Sequence, residues 1–269
     1  MIVQSAPENA PRFAITMHAH MTFAGQIARA FGNEQFEPVE PRDAVLYIVD
    51  HHDAGWADLD AEGRIDPGTG LPYNLVQTPF EEIVKTSAAT PEFNSRHHAY
   101  CGLLSSMHSW GLYNGRYGMS DKVLLDSLAD ENRAAAKQML DGELERQERL
   151  KHALAEHPET AAWVDPAKVM QNYKQLQFFD TLALYFNCNH ENDREPTTFT
   201  HVPQTVDRDV DIALTLAGNG TYALSPYPFA QDGLELSFSG RYIEPQTGAA
   251  RVDLDAFEEA RQSVRLVAG

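Results

Sequence analysis

Apolar and small residues recur at helical spacing through most of the first 190 positions. Met21, Ala24, Ala28 and Phe31 mark one face of a helix over about His18–Ala30, which Gly32-Asn33 stops. Pro41 opens a second helix through Val45-Leu46-Tyr47-Ile48-Val49. That helix is apolar nearly all round, as a buried helix is. Residues 57–79 carry three prolines and three glycines and read as a long loop, a form often used for lids or binding segments. Helical patterns resume at 80–89, at about 92–113, in the charge-rich stretch 120–156 and over 166–188, whose second half is strongly apolar. Near the N-terminus, Phe13-Ala14-Ile15-Thr16 suits one short strand.

After Asn189 the period shortens to two. Asp211–Leu216 and Leu234–Ser239 alternate, with Gly218-Asn219-Gly220 as a turn between them. Residues 205–250 therefore predict a small antiparallel sheet, followed by a short helix at about 253–264. The expected fold is mainly α. Residues 1–200 form a helical metal-binding body, and 201–269 form a β-rich appendage packed on it. No internal repeat or low-complexity tract is present.

The chain has 269 residues, 43% of them hydrophobic, and a net charge of −18. Length and composition suit a globular protein that needs no disulfide or metal staple. The negative field disfavours nucleic acid and anionic membranes as partners. A small phosphorylated substrate remains compatible, since a local metal site overrides the global sign. Cys101 and Cys188 are isolated and read as small core residues in a reducing compartment. The start of the chain lacks a signal-peptide pattern, and no apolar run is long enough to span a bilayer. The expected location is the cytoplasm. The expected partners are a small-molecule substrate, with no nucleic acid and no membrane, and a second copy of the chain in a homodimer.

Eleven histidines are present, and seven of them lie between positions 18 and 108. Neutral imidazole is a common ligand of transition metals. His52-Asp53 is the centre of this cluster. Adjacent residues on a helix point about 100° apart, so they either reach one ion beside a helix end or bind two neighbouring ions that the Asp carboxylate bridges. A histidine that merely complements the helix dipole is the simpler alternative, but it accounts for one of these groups and not for the pair. His97 and His108 are eleven residues apart, about 16 Å along one straight helix, so at most one of them serves a given ion unless the helix breaks between them. His108 sits on the apolar segment Cys101–His108 and is the favoured one. His97 or His98 remains a candidate for a second ion. Asp180 is a lone acid within Leu176–Phe186, where burial requires a partner: a cation is the simplest, an arginine the alternative. Asp58 is a weaker candidate for a supporting or general-base role.

His20, His52-Asp53 and Asp180, in this order, resemble the His…His-Asp…Asp signature of the HD superfamily of metal-dependent phosphohydrolases. The segments Ile15–Ala28, His51-His52-Asp53-Ala54-Gly55-Trp56, Leu104–His108 and Leu176–Leu184 resemble more closely a bacterial family known as domain of unknown function 3891. The resemblance implies a helical HD-like bundle with His20, His52, Asp53 and Asp180 as metal ligands and His108 as a ligand of a second metal. It implies one or two divalent transition metals, Mn, Fe, Ni, Co or Zn. Trp56 departs from the pattern, because many hydrolytic members carry lysine there. Arg96, Arg116 and Lys174 are the available cationic replacements.

Three functions follow as expectations. The first is hydrolysis of a small phosphate ester by a metal-activated water, with Asp53 and His51 as catalytic groups and His51 or His108 protonating the leaving oxygen. The second is oxidation at a di-iron centre. The third is a non-catalytic scaffold that binds metal, a ligand or a protein.

Overall fold

The computed structural model describes residues 1–8, 10–246 and 248–269. Strands β1 (Ile2–Val3) and β2 (Arg12–Ile15) lead into helix α1 (Met17–Ala30), then α2 (Arg42–His51) and the short α3 (Ala57–Glu62). A two-stranded hairpin, β3 (Ile65–Asp66) and β4 (Leu71–Pro72), precedes α4 (Phe80–His97) and α5 (Ala99–Tyr113). A tight turn α6 (Gly115–Gly118) and a single turn α7 (Leu124–Ser127) connect to the long α8 (Asp130–Ala155) and to α9 (Pro166–Cys188). Five strands complete the chain: β5 (Thr197–Thr205), β6 (Arg208–Gly218), β7 (Thr221–Ser225), β8 (Leu234–Ile243) and β9 (Glu259–Ala268).

The expectation of a mainly α, all-helical HD-like bundle is overturned. Helices hold 51% of the residues and strands 22%, and seven strands curl into one mixed half-barrel sheet, so the fold is α/β. The strand order is β1-β2-β8-β9-β7-β6-β5; β7 pairs with β9 in parallel, and the other neighbours are antiparallel. Strands from both chain ends therefore share one sheet. The expected boundary at 200/201 falls inside β5, and one apolar core runs from α1, α2, α5 and α9 into the sheet.

Two features hid the sheet. Glu259-Ala260-Arg261-Gln262 has a helical composition and was expected to be helix, yet it begins β9. Along that strand Glu259, Arg261, Ser263 and Arg265 are exposed while Val264 and Leu266 are buried. The outward face of a strand tolerates any polar residue, so pairing on both edges decides the conformation there. The second feature is β2, too short to announce a sheet. It is fixed from a distance, with Phe13 opposite Tyr242 of β8 and its ring packed at 6.1 Å from Phe238.

The helices pack against this sheet. α1 lies against β8 and α9 against β5, with α1 and α9 touching each other and α2 and α5 closing the layer. α9 is apolar on nearly all sides because it is surrounded, as a buried helix must be. Asp165 caps it, accepting from the backbone N–H of Ala167 at 3.0 Å and Lys168 at 3.2 Å, with Pro166 in the first turn. Thr16 caps α1 through the N–H of Ala19, which sets His20 in the first buried turn. Within 57–79, expected as loop, α3 and the hairpin supply short regular segments.

The expected continuous helix over 92–113 is broken. His98 is extended (φ −158°, ψ 144°) and its Nδ1 accepts from the N–H of Tyr100 at 3.0 Å, capping α5. Its neighbour His97 stacks on Tyr47 at 3.5 Å between ring centres. Among the described residues, no helix is long and apolar enough to cross a membrane.

Candidate metal centre

The structure brings together five of the residues singled out from the sequence. His20 comes from α1, His52 and Asp53 from the end of α2, His108 from α5 and Asp180 from α9. Donor atoms of His20, His52 and Asp53 lie within 4.8 Å of one another, and so do those of His52, His108 and Asp180. The side chain of His52 is fully buried and that of Asp180 is 4% exposed, whereas that of Asp53 is 18% exposed and alone opens the cluster outward.

Local backbone explains how adjacent residues reach one place. His52 still has helical angles (φ −63°, ψ −20°), but Asp53 has left them (φ −121°, ψ 27°). The helix ends between the two groups and turns the carboxylate toward the imidazole, with 3.7 Å from His52 Nε2 to Asp53 Oδ2. Gly55 and Trp56 finish the motif. A side chain on Gly55 would lie 2.4 Å from the Thr86 carbonyl, so only glycine lets this turn dock on α4, where its N–H donates to Thr90 Oγ1 at 3.0 Å. Trp56 is a core residue.

Each imidazole is oriented by its other nitrogen, as ligating histidines characteristically are. His52 Nδ1 donates to the Val49 carbonyl at 2.7 Å, and its Nε2 has no hydrogen-bond partner. His20 Nδ1 donates to Asn187 Oδ1 at 2.9 Å, which turns Nε2 to Asp180 Oδ1 at 3.3 Å. Asp180 Oδ1 also lies 3.6 Å from His52 Nε2. Two ring nitrogens whose protons are committed elsewhere thus face one buried carboxylate oxygen. Lone pairs opposed in this way need a cation, either a proton or a metal ion.

The donors suit an ion. Ligand atoms about 2.1 Å from a transition metal lie no more than about 4.2 Å apart, so a contraction of a few tenths of an ångström closes each group of three. His108 is oriented by Gln177, whose Nε2 lies 2.7 Å from His108 Nδ1 while its buried Oε1 has no partner. Exchanging the two ends of that amide gives Oε1 the Nδ1 proton and leaves His108 Nε2 as a donor to the cluster.

The protonation pattern follows from the same contacts. Burial favours the neutral form of His52, but the Asp53 and Asp180 carboxylates outweigh it and hold the ring up at about 9. For Asp180 burial alone would raise the carboxyl, yet the imidazoles of His20 and His52 keep it well below the usual range. Burial dominates at His108, which is pushed down to about 4 and stays neutral.

Other candidates lie elsewhere. His51 donates from Nδ1 to the Tyr47 carbonyl at 2.8 Å and stacks on Tyr47 at 4.1 Å. With the exposed His18 it lines a cleft of about 440 Å³ beside the cluster, which Met21 and Ala54 also border. Met21 connects the two regions, since its Sδ accepts from the Asp53 N–H at 3.2 Å. Neither His97, His98 nor Asp58 is among the grouped donors. Arg96 pairs with Glu92 on the surface, while Arg116 and Lys174 line a separate pocket. Both thiols are free and burial raises them, Cys101 to about 12 and Cys188 to about 11.

Sequence reasoning missed Asn187 and Gln177, the partners of His20 and His108. A signal existed: they stand seven residues after and three before Asp180, on the same helix face, as amides within an apolar helix.

The profile of a family described as protein of unknown function (DUF3891) matches residues 1–245. The chain belongs to that family. No curated protein and no solved structure matches it.

Proposed function

We propose that this DUF3891 member is a metal-dependent phosphohydrolase acting on a small phosphate ester. The reading includes a distant relationship to the HD superfamily, supported by the order His20, His52-Asp53, Asp180 along the chain. One observation carries it: imidazoles and carboxylates from four helices converge, with the buried His52 Nε2 unpartnered among them.

His20, His52, Asp53 and Asp180 would hold the ion, with His108 beside them. A divalent ion there supplies Lewis acidity toward a phosphoryl oxygen and toward water. The protein's own groups set the rest. Asp180 and His20 are immobilised by burial, so the donor set stays fixed while a substrate exchanges. Asp53, the partly open member, is the group that an entering water meets first, and its carboxylate orients that water by accepting a proton from it in a hydrogen bond. His51 lines the adjacent cleft with Nδ1 tied to the Tyr47 carbonyl, which leaves Nε2 to carry a proton to the departing oxygen.

The di-iron alternative fits less well, since both donor groups depend on His52, whose single free lone pair serves one ion. The test is to load the purified protein separately with Mn, Fe, Co, Ni or Mg and offer phosphomonoesters, nucleotides and cyclic dinucleotides. Turnover with at least one metal, lost in Asp53→Ala, is expected. Absence of turnover with every metal and ester would overturn the reading.

A further inference from the structure

A second pocket, of about 210 Å³, lies between α6, α9 and β5, and Gln177, the partner of His108, is part of its lining. Its lining includes Arg116, Lys174 and His201 with the hydroxyls of Ser120 and Thr181, and no carboxylate is among its described lining residues. That is unusual in a chain of net charge −18. Lys174 is bonded to Asp209 outside the pocket. Arg116 has no ion-pair or side-chain hydrogen-bond partner among the described residues, and its charge reaches His108.

The backbone at both edges adopts conformations that L-residues rarely take. Gly115 (φ 63°), Arg116 (52°), Tyr117 (58°) and Gly118 (86°) form one left-handed turn, which makes Arg116 a non-glycine residue in an unfavourable region. The turn is pinned by Tyr117, whose hydroxyl donates to Gln147 Oε1 at 3.2 Å and whose ring packs on Trp110 and Tyr173. Opposite, His201 (φ 58°) sits where the β5–β6 register shifts between Phe199 and Val202. Bulges of this kind re-aim a side chain. Two of the four non-glycine left-handed residues among those described therefore border one small pocket, and both are basic. Strain retained at such positions clusters at ligand sites. Gln177 belongs to both places, because its buried side chain lines the pocket and pairs with His108.

We propose that this pocket binds a tetrahedral oxyanion, the phosphoryl group of an ester or free phosphate, with Arg116 as its anchor and His201 and the Ser120 hydroxyl completing the cradle. A guanidinium with free N–H groups and a neutral hydroxyl donor match the geometry of such an anion. The inference rests on the hydrolytic reading only for the choice of phosphate. One amide, Gln177, then links the anion pocket to the metal centre, so a bound phosphate biases the orientation of His108.

The test is calorimetric titration of the full, EDTA-treated chain with inorganic phosphate. Saturable binding is expected without metal, weakened at least tenfold in Arg116→Gly and several-fold in His201→Gly. Glycine removes each side chain while accepting the same backbone conformation, so thermal midpoints should not fall. Asp53→Ala should bind phosphate within twofold of the parent protein. Unchanged binding in Arg116→Gly, or phosphate binding that appears only with metal present, overturns the proposal. A protein that binds phosphate in this pattern yet hydrolyses no ester supports the pocket and ends the hydrolytic reading alone.

Discussion

His20 Nε2 lies 3.3 Å from Asp180 Oδ1, although the two residues are 160 positions apart in the chain and belong to different helices. The carboxylate is almost fully enclosed, so it depends on the imidazoles it faces. Removing one partner of a buried pair leaves the other uncompensated, at a cost of about 3–5 kcal/mol. Asp180→Ala should therefore lower the metal-free unfolding free energy by roughly that amount, while Asp53→Ala, at the open edge, should lose about 1 kcal/mol or less. Urea denaturation in EDTA measures both.

Metal-free stability should peak near pH 6.5. His52 has a folded value of about 9, above its unfolded 6.5, so its contribution is complete below pH 6.5 and fades as the pH rises toward 9. His108 has the opposite sign: its folded value of about 4 means that stability falls as the pH drops from 6.5 toward 4. Each limb should slope by up to about 1.4 kcal/mol per pH unit. Denaturation midpoints between pH 4.5 and 9 provide the check, with His108→Gln expected to flatten the acid limb only.

Metal uptake should release protons. A ligating imidazole must be neutral, whereas His52 without metal is protonated up to about pH 9. Calorimetry at pH 7.5 in buffers of different ionisation enthalpy should report about one proton released per ion, and the apparent affinity should rise by up to tenfold per pH unit until about 9.

Much of this centre was legible in the sequence, and for a definite reason. A histidine and an aspartate placed in apolar segments have no inexpensive solution other than a partner, which singled out His108 and Asp180; His52 stood out by its pairing with Asp53, and His20 rested on the family resemblance. Their supports were less visible. Asn187 and Gln177 are neutral amides that also occur in ordinary cores, and only their helical phase relative to Asp180 distinguishes them. The sheet was harder still. β9 is written in helix-forming residues on its outer face, and β2 acquires its partner some 230 residues later. Long-range pairing of that kind leaves no local period.

Those supporting amides carry their own prediction. Asn187→Leu keeps the approximate volume but removes the acceptor that fixes the His20 ring. Loss of such a partner typically weakens metal affinity by about 10–100-fold. A competitive chelator titration should find this loss in Asn187→Leu and little change in Asn192→Leu, a surface control on the turn after α9.

The central claim is that one cation holds His20, His52, Asp53 and Asp180 together. Anomalous diffraction at the absorption edge of the loaded metal tests it most directly. A peak within about 2.0–2.3 Å of His20 Nε2, His52 Nε2 and the Asp53 and Asp180 carboxylates is the predicted result. A peak elsewhere, or a fully loaded crystal with none between these residues, would contradict it.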